Sequence, residues 1–158
     1  MTAKRMVIIG VDPDSSKHGV AVYLDGKIHD IRSASLFELF DIVKTLCASS
    51  DVQIHIEDVC AINATFGKQH VKNARSATTI SRSLGMCQQA QKEVERMAEY
   101  VGVPVFKHPI SKNWKESAAG TRALAKIGWH KTSNEDSRSA AYFGYLGVQQ
   151  WLSTTTAN

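Results

Sequence analysis

The stretch from Met6 to Val22, Met-Val-Ile-Ile-Gly-Val-Asp-Pro-Asp-Ser-Ser-Lys-His-Gly-Val-Ala-Val, constrains the fold of this chain more than any other. An apolar run halts at a carboxylate, passes through small residues and resumes, which is the pattern of two strands joined by a turn. Val7, Ile8, Ile9 and Val11 leave no polar face, so the first strand is predicted to be central and covered on both sides. Asp12 then ends that strand, at the carboxyl edge where ligands gather in sheets of this kind. An Asp before Pro13 is also a turn former, and that structural reading stands beside the functional one.

The rest of the chain supplies partners for this strand. His18 to Leu24 reads as a second strand, Asp25-Gly26 as a tight turn, and Lys27 to Arg32 as a third strand. Ser35 can cap a helix in which Leu36, Leu39, Phe40, Val43 and Leu46 recur at helical spacing. From Val52 to Glu57 the sequence alternates, with Val52, Ile54 and Ile56 on one face and Gln53, His55 and Glu57 on the other. A strand, a helical crossover and another strand make the two strands parallel. If they are neighbours, Asp12 and Glu57 end side by side, about 5 Å apart. Carboxylates that close repel unless a cation lies between them, so a metal site is the natural solution.

Beyond an irregular segment, a long helix is predicted from about Arg75 to Tyr100, with Gly102 as its stop. Val103 to Phe106 reads as a fifth strand. Gly120 is expected to interrupt the segment after Trp114-Lys115, Thr121 to Ile127 to be helical, and a last helix to run from about Ser133 to Leu152. Residues 153–158 read as a flexible tail. With no repeat or linker, residues 1–152 are expected to form one α/β domain. Its five-stranded mixed sheet would have three antiparallel strands, then parallel ones, flanked by helices.

Charge placement says more than the formal net charge of +4. Val59 to Lys92 holds no Asp or Glu, yet carries Lys68, Lys72, Arg75, Arg82 and Lys92 as well as His70. Val103 to Asn134 holds Lys107, Lys112, Lys115, Arg122, Lys126 and Lys131 against Glu116 alone. Two basic segments around an acidic centre suit a polyanion held while carboxylates act on it, although solvated faces with chance charge bias would look the same. Cys47, Cys60 and Cys87 are odd in number and lack metal-ligand spacing, which fits a reducing compartment. No stretch is long and apolar enough for a membrane span or leader, so a soluble protein of the cytoplasm is expected.

Gly10-Val11-Asp12-Pro13 followed by Ser15, Ser16 and Gly19 resembles the opening of the RuvC-like Holliday-junction resolvases, members of the ribonuclease H-like superfamily. It also resembles the first phosphate loop of the actin-like ATPases. Those hold nucleotide between two such domains, more than 158 residues supply, so a nucleotide-binding module is the less favoured alternative. Ile56-Glu57-Asp58-Val59 resembles the resolvases' second acidic motif, and Ile80-Ser81-Arg82-Ser83-Leu84-Gly85-Met86 the helix that follows it. Glu135-Asp136 with Ser139, Ala140 and Ala141 is similar to their final acidic helix. The chain departs from them where the usual Asp-Ala-Leu is Asp136-Ser137-Arg138, and Ser133-x-x-Asp136 reads equally as a capping box. The small size and this departure suggest a phage or mobile-element relative acting in a host cytoplasm.

The resemblance implies a ribonuclease H-like fold and a metal-dependent endonuclease that resolves four-way DNA junctions by paired symmetric hydrolysis, as a homodimer. A broader nuclease of forks and flaps is the near alternative. Asp12 would bridge two metal ions, Glu57 would hold one, and Asp136 with Glu135 the other, with Asp14 and Asp58 as lesser candidates. An oxygen-only ligand set favours Mg²⁺, with Mn²⁺ able to substitute. Lys115, in a Trp-Lys pair like that of phage members, would meet the scissile phosphate or an ordinary backbone phosphate. Phe66 would wedge against unstacked bases or anchor its loop. Lys68, His70, Lys72, Arg75, Arg82, Lys107 and Lys112 would bind DNA. The long helix offers a dimer face, or packs on the sheet and does nothing else.

Overall fold

The structure is a computed structural model that describes residues 2–62 and 74–157. Its elements are β1 (Arg5–Asp12), β2 (His18–Leu24), β3 (Lys27–Ala34), α1 (Leu36–Cys47), β4 (Ser50–Glu57), α2 (Ala74–Val101), β5 (Val105–His108), α3 (Ser117–Lys126) and α4 (Glu135–Thr156), with a 3₁₀ turn at Val59–Ala61. The sheet order is β3-β2-β1-β4-β5. β1 is central, antiparallel to β2 and parallel to β4, while β5 extends the parallel side.

The unbroken apolar run of β1 is explained by cover on both faces. Val7, Ile9 and Val11 join Val52, Ile54 and Ile56 against Leu39 and Val43 of α1 and Val94, Met97 and Ala98 of α2. Ile8, with Ala21 and Tyr23, packs on the other face against Ala140, Ala141 and Val148 of α4 and Leu124 of α3. Tyr23 donates its hydroxyl to the Ala141 carbonyl at 2.6 Å, so the ring is buried without an unmet donor.

α4 lies unusually close to β1 because glycines face each other across the contact. A Cβ on Gly10 would run into the Ala140 carbonyl oxygen and stand 2.5 Å from Gly144 N and 2.9 Å from Gly144 Cα. One on Gly19, in β2, would strike the Asp136 backbone. This approach sets the first turn of α4 against the end of the sheet where β1 and β4 finish.

Several boundaries differ from the sequence expectation for identifiable reasons. β4 begins at Ser50, because Ser50 and Asp51 already pair with Arg5 and Met6. β5 begins two residues late: Val103 N still bonds the Ala98 carbonyl at the end of α2, where Gly102 takes φ +75°. Gly120 does not interrupt a helix but lies within α3, which Glu116 caps by accepting from the Ala118 and Ala119 amides. The stretch read as a tail is helical through Thr156, where the hydroxyls of Thr154, Thr155 and Thr156 donate back to carbonyls between Trp151 and Ser153. The three cysteines are free thiols, and no helix among the described residues is long and apolar enough to cross a membrane.

Candidate active site

Register places the first two candidate residues. Val11 pairs with Ile56 across the parallel β1–β4 ladder, so Asp12 and Glu57, one residue further, end adjacent strands. Alternation turns both toward the α4 face, the side of Gly10 and His55. Asp12 is 7% exposed and Glu57 3%. Two carboxylates so far from water and so near each other carry more negative charge than the site compensates. Burial, reinforced by Glu57, pushes the Asp12 pKa up to about 7, against the opposing influence of Ser139 and Lys115.

Lys115 supplies the nearest positive charge. Its Nζ lies 3.5 Å from Glu57 Oε1 and 3.7 Å from Asp12 Oδ2. Burial alone would lower the pKa of this ammonium, but Asp12 and Glu57, joined by Glu135, outweigh it and hold the value above that of an ordinary lysine. The lysine reaches this place through a constrained turn. Trp114 takes φ +66°, in the left-handed region that a bulky residue rarely adopts. Arg138, 6% exposed on α4, donates from Nε to the Trp114 carbonyl at 3.1 Å and from Nη2 to the Lys115 carbonyl at 2.7 Å. The Trp114 ring rests between Tyr142 and Tyr145 of the same helix. Gly120 leaves room for this turn, since a Cβ there would strike the Trp114 carbonyl.

The first turn of α4 brings the remaining carboxylates to the rim of this cluster. Its capping box is made by Asn134 and Ser137, each side chain bonding the other's backbone amide, rather than by Ser133 and Asp136. Asp136 is therefore not the cap residue. It is half-buried, and its pKa is raised by burial first and then by Asp12, Asp14 and Glu135. Glu135 is exposed. Ser139, one turn further, is fully buried beside Asp12; short of hydrogen-bonding geometry, its Oγ is the one unpartnered buried side-chain polar atom among the described residues.

These residues fit a divalent cation in chemistry. The donors are hard oxygens, the pair is buried and under-compensated, and a polar oxygen stands unused beside it. They do not form a finished cage: among the described residues no three acidic, histidine or cysteine side chains converge as metal ligands. Asp12, Glu57 and Lys115 are drawn together, while Glu135 and Asp136 act on them through space.

The other candidates are placed elsewhere. Asp14 accepts from Ser16 N and shapes the β1–β2 turn, and Asp58 accepts from Gln91 Nε2 of α2 at 2.9 Å. Lys107 pairs with Glu95 at 3.4 Å, and Arg82 and Lys112 are exposed. Phe66, Lys68, His70 and Lys72 lie outside the described residues, as does the side chain of Arg75. Sequence reasoning missed Arg138, Ser139 and a buried pair, His55 Nδ1 to His108 Nε2 at 2.8 Å. Arg138 had a signal, as the departure from the usual final motif, whereas the histidines, 53 positions apart, had none.

An antiparallel three-stranded half joined to a parallel half, with an acidic centre where the first and fourth strands end, is the ribonuclease H-like fold. No protein-family model and no curated protein matches the chain. Among solved structures it is similar to Thermus thermophilus RuvC in complex with a Holliday junction substrate, with TM-score 0.57 and 12% identity over 93% of this chain and 96% of that one. It is likewise similar to a second Thermus thermophilus RuvC structure, with TM-score 0.59 and 12% identity over 94% and 98% of the two chains. The chain thus has the fold of the RuvC resolvases.

Proposed function

We propose that this protein is a metal-dependent endonuclease for branched DNA, with four-way junctions as its foremost substrate and paired symmetric nicks as its product. The observation that carries the reading is the buried, under-compensated pair of Asp12 and Glu57 at the ends of adjacent parallel strands, with the acidic turn of α4 beside it. Phosphodiester hydrolysis needs an activated water and a neutralised leaving oxygen, and two Mg²⁺ or Mn²⁺ ions supply both. Asp12 would bridge them, Glu57 would hold one, and Asp136 with Glu135 the other. Lys115 is near enough to this centre to neutralise a phosphate oxygen delivered to it. The likeness to a resolvase seen with its junction supports the choice of substrate.

Two nicks on one junction call for two centres, and a second copy of this chain would supply the other. The exposed face of α1 and α2 suits that copy. Phe37 and Tyr100 are 80% and 83% exposed, and the groove between them is floored by Leu36, Phe40 and Met97. A face of this kind, rimmed by Glu93 and Arg96, has both an apolar centre and charges of each sign for a self-complementary contact.

The test is cleavage of a labelled synthetic four-way junction with Mg²⁺ or with EDTA, beside duplex, flap and fork controls, in the parent and in Asp12→Asn. Paired nicks are expected that need metal and fall by more than about 10²-fold in Asp12→Asn, the loss of a metal ligand exceeding that of its supporting residues. Equal cutting of flaps and forks would widen the substrate to branched DNA in general. A junction that is bound but left uncut with every divalent metal would overturn the catalytic reading.

A further inference from the structure

We propose that Lys115 is a resident counter-cation of the carboxylate pair, held between Asp12 and Glu57 by the Arg138 clamp, and that it competes with a divalent ion for those two carboxylates. The inference rests on the reading of Asp12 and Glu57 as metal ligands. It goes beyond that reading by giving Lys115 a part before substrate arrives, and by making Arg138 a positioning residue.

With Nζ 3.5 Å from one carboxylate and 3.7 Å from the other, the ammonium stands in the space an ion shared by those oxygens must enter. Two cations a few ångströms apart repel, so the ion seats only when the lysine head has moved away. The backbone that carries Lys115 has little freedom to follow. Its carbonyl and that of Trp114 are both gripped by the buried Arg138, and Asn113 Nδ2 donates to Tyr142 OH at 2.9 Å on the same helix. What remains free is the four-carbon stem. The side chain, a quarter exposed, can swing its head out of the pair while its Cα stays beside the site.

Tethering of this kind has a consequence for order of binding. In the free protein the lysine lowers the affinity for the ion. A phosphate arriving at the mouth of the site gives the displaced ammonium a new partner, so ion and phosphate assist each other's binding, and the assistance is reciprocal. Arg138 is the geometric cause: without its two-carbonyl grip the Trp114–Lys115 turn relaxes, and the ammonium is no longer presented to the pair. A lysine at position 138 has donors but lacks the rigid planar fork that fixes both carbonyls at once.

The experiment is direct Mn²⁺ titration of the full chain without DNA, followed by the free-ion electron paramagnetic resonance signal. The variants are Lys115→Met, Lys115→Gln, Arg138→Gln and the Lys115→Met/Arg138→Gln double variant, with folding checked by circular dichroism. Lys115→Met and Lys115→Gln are expected to bind Mn²⁺ about tenfold more tightly than the parent, the effect of removing one close like charge. Arg138→Gln is expected to move affinity in the same direction, and to add nothing in the double variant. A merely structural role for Arg138 would lower stability and leave the Mn²⁺ affinity of the folded fraction unchanged. Mn²⁺ bound by the parent but no tighter by either Lys115 variant would overturn the competition and leave the metal reading standing. No Mn²⁺ bound by the parent or by either Lys115 variant would overturn the metal reading itself. Should Arg138→Gln fail to fold, the two substitutions at the partly exposed Lys115 still decide the question.

Discussion

Gly10→Ala tests the close approach of α4 to β1, on which the site depends. The added methyl would press on the Ala140 carbonyl oxygen and lie 2.5 Å from Gly144 N and 2.9 Å from Gly144 Cα, all of them backbone atoms that no rotamer change can clear. Ordinary carbon contacts are about 3.5–4.0 Å, so the helix must retreat by about 1 Å. That retreat thins the packing of Ala140, Ala141 and Val148 against Ile8, Ala21 and Tyr23. Overpacking costs about 1–3 kcal/mol in general, and an obstacle made wholly of backbone belongs at the upper end, about 3 kcal/mol.

With a urea slope of about 2 kcal/mol per molar, this becomes a fall of about 1.5 M in the midpoint. The same retreat would shift Asp136 and Ser139 from Asp12, and a misplacement of about 1 Å can cost on the order of 10²-fold in rate. Gly85→Ala is the matched control. Gly85 lies in α2 with no atom of the described residues within 4 Å of the site of its missing Cβ, so alanine there should stabilise by about 0.5–1 kcal/mol through helix propensity alone. A Gly10→Ala midpoint within about 0.2 M of the parent would refute the reasoning, because 3 kcal/mol cannot hide in that interval.

Two further outcomes are expected. Burial first, then the neighbouring His108, pushes the His55 pKa down to about 4 from an ordinary 6.5, so below pH 6.5 the unfolded chain takes up a proton that the folded chain refuses. The stability contributed by the buried neutral ring is complete above pH 6.5 and is lost as the pH falls toward 4, by about 2 kcal/mol between pH 6.5 and pH 5. Urea midpoints measured over that range should fall more steeply in the parent than in His55→Gln, and parallel slopes would count against the assignment. For the second, a dimer formed through the α1–α2 face would fall to monomer in Phe37→Asp with the circular dichroism unchanged, since Phe37 is 80% exposed and lies outside the core cluster of the described residues. Sedimentation velocity that shows a monomer in the parent would remove that face from consideration.

The positions of Asp12 and Glu57 were legible because each rests on a local rule. An apolar run on both faces marks a central strand, and a helical crossover marks its parallel neighbour, so two acids that end such strands are bound to meet. The cap of α1 at Ser35 and the stop of α2 at Gly102 were legible for the same reason. Lys115 was a candidate only by resemblance. Its actual place depends on Arg138, 23 residues away, and on a glycine read as a helix breaker. Gly120 is in α3 because the Trp114 carbonyl needs the space, a tertiary demand that propensity does not register. The histidine pair was hidden in the same way: His55 occupied an ordinary alternating position, and only the β4–β5 register brings His108 to it.

Ser137 and Arg138 have clear structural work at the start of α4. Ser137 bonds the Asn134 backbone and so completes the cap of α4, which leaves Asp136 out of the cap and turned to the acidic cluster. Arg138 is a buried guanidinium, and such a group is costly unless its donors are met. Its donors go to the Trp114 and Lys115 carbonyls and toward Ser133 Oγ, all on segments that flank the site. An apolar residue at 138 has no donors with which to hold that turn. Ser137 and Arg138 thereby tie the acidic turn and the lysine-bearing turn to one helix, α4. The site is in effect a joint between two adjacent strand ends and a single helix, and the glycines at 10 and 19 set how tightly that joint is closed.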